Sequence, residues 1–496
     1  MKKIKLLAMF LLGVIVIHSC SEDDLSLVNP NTLSPDTFFS SKEQVQSAVN
    51  ATYVNLQTTG LYGRLMWYML DNMSGENSGN EQQEVDKRTF AEYTFTSGNQ
   101  FIADYYDNCY RGINKCNFVI NNEDKIRELQ SSVMTDQEKN KALAEARFLR
   151  AQYYWLLVRR FGDVPLRVDG STPEGLPRAP KESVIQLIIE DLQFAKNNLL
   201  SKGAEQKGRA TQGAALAFLG KVLLYEGRYS DALQEFNRIS GYGLYPDYFD
   251  NFKEETENGI ESIWEIQYNT SLGVRDEQWN NGAVSGTGAN HVHFRGQDYG
   301  LLNWFNVYPS DDLRSAFESG DNRFQGSFYV VGDSYNNGNN TFEDADFVEN
   351  GGNTRPAAWK KYQSYYKGVD ENQESGINPR VIRYADVLLM MAECENEVGT
   401  QAAAVGLINQ VRARAGLTGL ATSLSKNQVF DAIVNERKVE LAGEQVRFDD
   451  MIRWGIIGSE LSGTGFQVGK HELFPIPSNE INTNVNIGSE DQNPGY

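Results

Sequence analysis

One long helical pattern, residues 139–161, constrains the fold of this chain more than any other feature. Its apolar side chains, among them Leu143 and Leu157, recur at the three- and four-residue spacing of one helix face. Large neighbouring side chains widen this face, which is typical of a helix that packs on more than one neighbour. Gly162 and Pro165 then end the pattern, because neither residue favours continuation of a helix. The segment therefore predicts a large helical assembly.

Two further segments combine helical periodicity with a repeat spacing. In residues 211–240, Gly220, Ala232 and Phe236 fall at the spacing of tetratricopeptide repeats, in which small residues let two antiparallel helices approach closely. Residues 383–416 match the same spacing a second time. We therefore predict a mostly α fold, a tetratricopeptide-like helical-repeat superhelix. The alternative is an ordinary helical domain with chance periodicity.

The helical pattern is interrupted twice. Residues 71–100 form a loop-rich stretch within the first helices, and residues 245–375 are rich in Gly, Asn, Asp and aromatic side chains. Apolar and polar residues alternate in 261–268, as in a short strand. We interpret 245–375 as a loop-rich insert with short strands. Long loops on a rigid scaffold often carry binding sites, so we expect this insert to bind the ligand.

The amino terminus has the layout of a secretory signal. Three lysines precede an apolar run at residues 6–17. As a helix this run is about 18 Å long, too short for the roughly 30 Å core of a bilayer. The following IHSC resembles a bacterial lipobox, although His18 departs from it, and would place lipid on Cys20. An ordinary signal with a chance cysteine is the alternative.

These observations divide the chain into five predicted parts. They are a lipoprotein signal peptide at 1–19, the lipidated cysteine with its tether at 20–40, an N-terminal helical-repeat part at 41–244, the insert at 245–375, and a C-terminal helical-repeat part with a closing segment at 376–496.

Charge and cysteine content exclude several classes of protein. Removing residues 1–19 removes three lysines and takes the formal charge from −20 to −23. A chain this acidic is a poor binder of nucleic acid, because affinity for phosphate depends on Lys and Arg. Cys109 and Cys116 are two helical turns apart, about 10 Å, beyond the roughly 7 Å reach of a disulfide. No cysteine spacing resembles a zinc site.

Motifs that carry catalysis are mostly absent from the sequence. His291 and His293 can share one side of a strand, but no further ligands accompany them, so we predict no metal and no cofactor. Glu436, Glu440 and Glu444 lie four residues apart, a pattern compatible with paired catalytic carboxylates. Arginines surround them and would lower their pKa values, so we predict a structural ion-pair network and no enzyme activity.

The loop-rich stretches combine aromatic side chains with amides and charges. Sugars offer apolar C–H faces to aromatic rings and hydroxyl groups to amides and carboxylates. The alternative is that these aromatics pack the loops onto the core. The candidate ligand-binding residues are Trp67, Asp71, Asn72, Asn77, Phe101, Tyr105, Trp279, Asn280, Arg295, Tyr299, Asn303 and Trp304.

Five segments, in order along the chain, resemble the SusD/RagB family of outer-membrane lipoproteins. They are residues 145–166, 210–233, 378–399, 433–455 and 473–496. The resemblance implies a nutrient-binding protein at the cell surface, often for glycans, that sits over a TonB-dependent transporter. The acidic SEDD that follows Cys20 resembles the signal that directs such lipoproteins to the cell exterior.

The resemblance therefore implies a lipoprotein of the outer membrane that faces the exterior, captures an oligosaccharide and delivers it to a SusC-like TonB-dependent transporter. Its motifs are framework segments, so the candidate ligand-binding residues cannot be matched to the family one by one. Three alternatives stay open: the same architecture binding peptides or another nutrient, an extracellular glycosidase, and a helical adaptor without a small ligand.

Overall fold

The computed structural model describes residues 38–79, 82–169, 175–272, 291–369 and 374–496. This part of the chain is mostly helical, which confirms the predicted fold class. The α-helices are α1 Lys42–Val54, α2 Leu65–Met73, α3 Val85–Glu92, α4 Gln100–Ile120, α5 Glu123–Glu128, α6 Asp136–Phe161, α7 Lys181–Asn198, α8 Gln212–Tyr225, α9 Tyr229–Phe236, α10 Arg295–Tyr299, α11 Asp311–Ser315, α12 Asn322–Ser327, α13 Tyr384–Val398, α14 Gln401–Arg414, α15 Lys426–Glu440, α16 Arg447–Arg453, α17 Ile457–Glu460 and α18 Ser478–Thr483.

The strands are short and pair two by two. They are β1 Asn77–Gly79, β2 Val164–Pro165, β3 Arg178–Ala179, β4 Ser262–Glu265, β5 Val307–Pro309, β6 Phe328–Tyr329, β7 Ser334–Tyr335, β8 Asn340–Thr341, β9 Ala358–Trp359 and β10 Arg380–Arg383. The antiparallel pairs are β1 with β5, β2 with β3, β4 with β10, β6 with β9, and β7 with β8.

The long helices pack against their neighbours in sequence, as a helical repeat requires. Helix α6 contacts α4 and α7, helix α8 contacts α7 and α9, and helix α13 contacts α9, α14 and α15. Between α6 and α7, Arg150 Nε and Nη2 donate to the two carboxylate oxygens of Asp191 at 2.7 and 2.9 Å, and both side chains are buried. This bidentate pair fixes one helix against the other.

The first repeat pair, α8 with α9, depends on a glycine at the predicted position. A Cβ atom on Gly220 would lie 2.4 Å from a ring carbon of Phe236. Real Cβ contacts are longer than this, so the absence of a side chain lets the two helices approach. The second predicted pair is α13 with α14, whose contact includes the buried Ala392, Ala404 and Ile408. The tetratricopeptide-like interpretation is therefore confirmed.

The loop-rich stretches contain more helix than the sequence indicates. Helix α3 lies inside the stretch predicted as loop at 71–100, and α10 to α12 lie inside the insert. Helices of five to eight residues complete too few turns to display an apolar period, so the pattern fails to reveal them. The strand predicted within 261–268 is β4, which pairs with β10 of the C-terminal part.

Within the ranges given above, no helix is both long enough and apolar enough to cross a bilayer.

Candidate ligand-binding face

The two predicted ligand-binding stretches meet in the fold. Strand β1, from the stretch at 71–100, pairs with β5 of the insert, with Asn77 opposite Pro309. The Asn77 side chain donates to the Tyr299 hydroxyl at 3.1 Å and accepts from the Trp359 indole nitrogen at 2.8 Å. Lys87 Nζ lies 2.7 Å from Asp298. Residues far apart in sequence therefore form one structural unit.

Arg295 occupies the centre of this unit. Its guanidinium carbon lies 4.6 Å from the ring centre of Trp67, 4.4 Å from Tyr299 and 5.0 Å from Tyr362. A guanidinium can be buried among aromatic faces because the rings attract its positive charge. Its Nη2 lies 3.2 Å from an oxygen of Asp71, which also accepts from the Tyr299 hydroxyl at 3.0 Å.

The C-terminal part closes over this arginine. Arg295 Nη1 donates to the carbonyl of Gly443 at 3.0 Å, and Gln445 donates to Asp71 at 3.0 Å. Gly443 has φ +66°, and a Cβ there would lie 2.9 Å from the Trp359 ring. Burial raises the pKa of Asp71, although Arg295 acts in the opposite direction. These contacts make the region a packed interior.

Six candidate residues therefore lie inside the protein and offer no surface to a ligand in this structure. Their burial differs from the predicted surface platform and follows the alternative in which aromatics pack the loops onto the core. For the residues around Arg295 and Asp71, the physical reason is that a buried Arg–Asp pair needs the same mixture of rings and polar groups that a sugar needs. Tyr105 instead packs in the main core from α4, where its hydroxyl donates to the Leu156 carbonyl at 3.0 Å. The six buried residues are Trp67, Asp71, Asn72, Tyr105, Arg295 and Tyr299.

The other candidates differ in their positions. Asn77, Phe101, Asn303 and Trp304 are partly exposed. Phe101 packs on the main core from α4, away from the insert contacts described above. Cys20, Trp279 and Asn280 lie outside the described residues.

A turn after α10 presents Trp304 at the surface. The Trp304 backbone nitrogen donates to Gln297 at 3.1 Å, and its carbonyl accepts from the Asn350 side chain at 2.8 Å. Lys87 Nζ lies 5.6 Å from the Trp304 ring centre. We call Asn303, Trp304 and Asn350 the Trp304 face. It brings the partly exposed Trp304 together with two asparagines that solvent reaches. The Asn303 amide donates inward, to the Gly296 carbonyl at 3.1 Å and the Tyr365 hydroxyl at 3.2 Å.

Buried charged side chains hold this turn from its interior side. Asp298 accepts from Lys87 at 2.7 Å and from the Asn306 side chain at 3.2 Å, while its carbonyl accepts from the Asn306 backbone at 2.9 Å. Burial opposes ionisation of Asp298, but Lys87 and Arg64 outweigh it and lower its pKa. An ionised Asp298 therefore holds both ends of the segment that carries Trp304.

Asn350 was not among the sequence-based candidates. It lies 46 residues from its partner Trp304, in an Asn- and Gly-rich stretch without a periodic pattern. No local signal joins the two positions. The only hint is compositional, since exposed amides near an aromatic residue are typical of surfaces that bind hydroxyl groups.

The histidine pair has a structural environment. His293 is buried, its Nε2 lies 2.9 Å from the Ile377 carbonyl, and its ring centre lies 4.6 Å from that of Trp67. Burial lowers the pKa of His293 to about 3, so the ring is neutral at pH 7. In the part of the chain that the structure describes, no three His, Cys, Asp or Glu side chains gather as metal ligands would.

The three late glutamates are buried in an arginine network. Glu440 accepts from Arg383, Arg414 and Arg323, and Glu444 accepts from Arg383 and Lys361. Burial opposes the ionisation of both carboxyl groups, yet their cationic partners lower both pKa values, as the sequence predicts.

Glu436 differs from the other two glutamates. Burial raises its pKa, despite ion pairs with Arg323 at 2.5 Å and Arg412 at 3.3 Å. Its side chain is nonetheless enclosed by these partners and reaches almost no solvent. The network therefore joins α12, α14 and α15 to β10 and holds the insert against the helical frame.

Comparison with known proteins assigns the family. A family model described as "SusD family" matches residues 252–470, and one described as "Starch-binding associating with outer membrane" matches residues 25–224. The chain belongs to the SusD family. It is similar to "SusD-like protein P25" of Formosa agariphila, with 27% identity over 97% of this chain and 98% of that protein.

Solved structures of the family share the fold. A SusD superfamily protein from Bacteroides vulgatus has a TM-score of 0.78 and 25% identity, and the match covers 93% of this chain and all of that one. A structure titled "Laminarin binding SusD-like protein" has a TM-score of 0.75 and 25% identity, covering 92% and 100% of the two chains.

Proposed function

We propose that this SusD-family chain binds an oligosaccharide at the Trp304 face. The observation that carries the proposal is the partly exposed Trp304 beside two asparagines: Asn303 precedes it in the chain, and the Asn350 side chain donates to the Trp304 carbonyl at 2.8 Å. An indole can stack on the C–H face of a sugar while amides bond its hydroxyl groups. The laminarin-binding relative, similar over nearly its whole length, supports a glucan-type ligand.

The rigid base of the face favours binding. Asp298 fixes the turn through its hydrogen bonds with Lys87 and Asn306. The contact of Arg295 with Tyr299 fixes α10, the helix that precedes the turn. A surface that is already ordered loses little conformational entropy when the ligand arrives, so more of the contact energy remains as affinity.

The proposed setting is the cell surface. Cys20 would carry the lipid, residues 20–40 would tether the protein to the outer membrane, and the helical body would face the exterior. The bound sugar would then pass to a SusC-like TonB-dependent transporter. The basic and apolar amino terminus, the IHSC motif and the family description that mentions the outer membrane support this setting.

A ligand panel tests the proposed class of ligand. Residues 21–496 would be titrated by calorimetry with β-1,3-, β-1,4- and α-1,4-linked glucans, and with peptides of similar length. We expect saturable binding of at least one oligosaccharide, without release of products. Binding of peptides alone would contradict the proposal, and hydrolysis of a bound glycan would favour the glycosidase alternative.

The anchoring proposal has its own test. The full chain and its Cys20→Ala variant would be expressed with a labelled fatty acid, and surface exposure would be measured by protease treatment of intact cells. We expect label and membrane retention only with Cys20. Equal labelling of both proteins would refute lipidation at this residue.

A further inference from the structure

We propose that a second saccharide-binding pocket, separate from the Trp304 face, lies between α1, the turn at 206–209 and strand β4. A cavity of about 260 Å³ opens there, lined by residues of all three segments. Asn50 and Lys207 at its mouth are exposed, so a ligand can enter from solvent. None of its lining residues belongs to the Trp304 face. The pocket therefore stands on observations independent of the function proposed above.

Two aromatic side chains form the wall and floor of this pocket. The ring centres of Tyr53 and Trp264 are 6.2 Å apart and their planes are inclined by 53°. Tyr53 is partly exposed, whereas Trp264 is only 3% exposed and contacts Phe148. Rings arranged in this way offer an apolar corner that the C–H face of a sugar can fill.

The indole nitrogen of Trp264, in the wall of this pocket, lacks a partner in the described part of the protein. It is buried and has no hydrogen-bond acceptor among the residues that the structure describes. A buried donor without an acceptor costs about 1–3 kcal/mol. The Trp67 indole nitrogen shares this state inside the protein, so the Trp264 nitrogen supports the proposal only because Trp264 also lines the cavity. Because the nitrogen is almost inaccessible to solvent, a sugar hydroxyl would reach it only after a small movement of the pocket wall.

Three charged residues line the pocket: Lys207 is exposed at its mouth, Glu265 is paired with Arg380 at 3.3 Å, and Arg209 is also neutralised. Arg209 donates to Glu145 at 2.7 Å and to Asn50 at 2.6 Å. Its positive charge is thus balanced by a carboxylate, which disfavours an anionic ligand. The Gln57 amide, which donates to the Gln267 carbonyl at 2.6 Å, adds a polar group to the wall. This set of groups suits a neutral molecule with one apolar face and several hydroxyl groups.

Three other cavities in the described residues lack this combination. Two clefts of about 290 and 490 Å³ have no aromatic residue in their lining. A third cavity has aromatic walls but only about 70 Å³, enough for a few water molecules. The pocket beside Trp264 alone among these four combines aromatic walls with room for a sugar ring.

The test is an NMR titration that follows the indole N–H signal of Trp264. Residues 21–496, labelled with ¹⁵N-tryptophan, contain seven tryptophans, and the W264F variant identifies the signal of interest by its absence. Maltose, cellobiose, laminaribiose and tri-alanine would be titrated separately. We expect a saturable shift of the Trp264 signal with at least one disaccharide, at millimolar concentrations, and the same shift in W304A.

A mouth variant supplies the control. K207W would place a large ring over the opening and should weaken the disaccharide response at least tenfold, whereas K207A should leave it within about twofold. Because Lys207 is exposed, neither change threatens folding. The proposal fails if no disaccharide shifts the Trp264 signal, if K207W responds like the unmodified protein, or if only tri-alanine binds. Retention of the shift in W304A separates this pocket from the Trp304 face.

Discussion

Replacing Arg295 by methionine removes the buried positive charge that lies where the insert contacts α2 and the C-terminal part. The guanidinium pairs with Asp71 at 3.2 Å and donates to the Gly443 carbonyl at 3.0 Å, and both charged side chains are buried. Methionine keeps much of the apolar contact with the surrounding rings but leaves the Asp71 carboxylate without its cation. Breaking a buried pair in this way costs about 3–5 kcal/mol. We therefore expect the free energy of unfolding to fall by this amount.

A double variant separates the charge from the packing. In R295M/D71N both partners are neutral, so the uncompensated carboxylate is gone. We expect the double variant to be more stable than R295M alone by about 2 kcal/mol, which is the size of coupling seen between directly contacting residues. R228M is the matched control, because the Arg228–Asp231 pair is almost half exposed and should contribute less than about 1 kcal/mol.

The assay is urea unfolding followed by tryptophan fluorescence and circular dichroism. A loss below about 1 kcal/mol in R295M would contradict the buried-pair account, since an exposed pair would give the same result. A double variant that loses as much as the two single changes added together would also contradict it. The first outcome would mean that Arg295 reaches solvent, and the residue would again become a candidate for ligand contact. The second would mean that the two side chains do not stabilise each other.

Two further stability predictions follow from the fold. In urea unfolding, G220A should lose about 1–3 kcal/mol of stability, because its Cβ would lie 2.4 Å from Phe236. The control G406A should gain up to about 1 kcal/mol, because nothing lies near its Cβ on an exposed helix face. Equal effects of the two substitutions would refute the close approach of α8 and α9. Burial and the charge of Asp71 raise the pKa of Glu76 from 4.5 to about 8. Between these pH values the unfolded chain loses a proton that the folded chain keeps, so stability falls as pH rises, and E76Q should become progressively more stable than the unmodified protein from pH 5 to 8. A constant difference across denaturation curves in that range would contradict an unusually protonated Glu76.

The helical frame follows from local sequence. Apolar residues at helical spacing mark α6, and the positions of Gly220 and Phe236 mark the α8–α9 contact, because each signal lies within one or two helices. A repeat fold buries each helix against its sequence neighbours, so local patterns are enough to predict it. That arginines pair with Glu440 was also predictable, but which arginines do so was not. Its partners Arg414, Arg383 and Arg323 lie 26, 57 and 117 residues away along the chain.

The candidate site depends on contacts that local patterns do not contain. Trp67, Arg295 and Tyr299 have the composition of a sugar site, but they bury one another because Asp71 and Gly443 close over them. Exposure depends on which loop covers which, and these partners lie more than 140 residues apart along the chain. The sequence therefore predicts which stretches meet, but it does not distinguish their buried residues from their exposed ones.

The most direct test of the account is the affinity of an oligosaccharide for the Trp304 face. W304A should weaken binding of the best ligand about fivefold or more, since a stacked ring contributes roughly 1 kcal/mol beyond the area it buries. N350A should weaken binding as well, while N339A, at an exposed asparagine of the β7–β8 turn, should not. The ligand would be titrated by calorimetry into each of the three variants and into the unmodified protein, all as residues 21–496. Equal unfolding midpoints would first establish that the four proteins are equally folded. Unchanged affinity in both W304A and N350A would contradict a ligand site at this face.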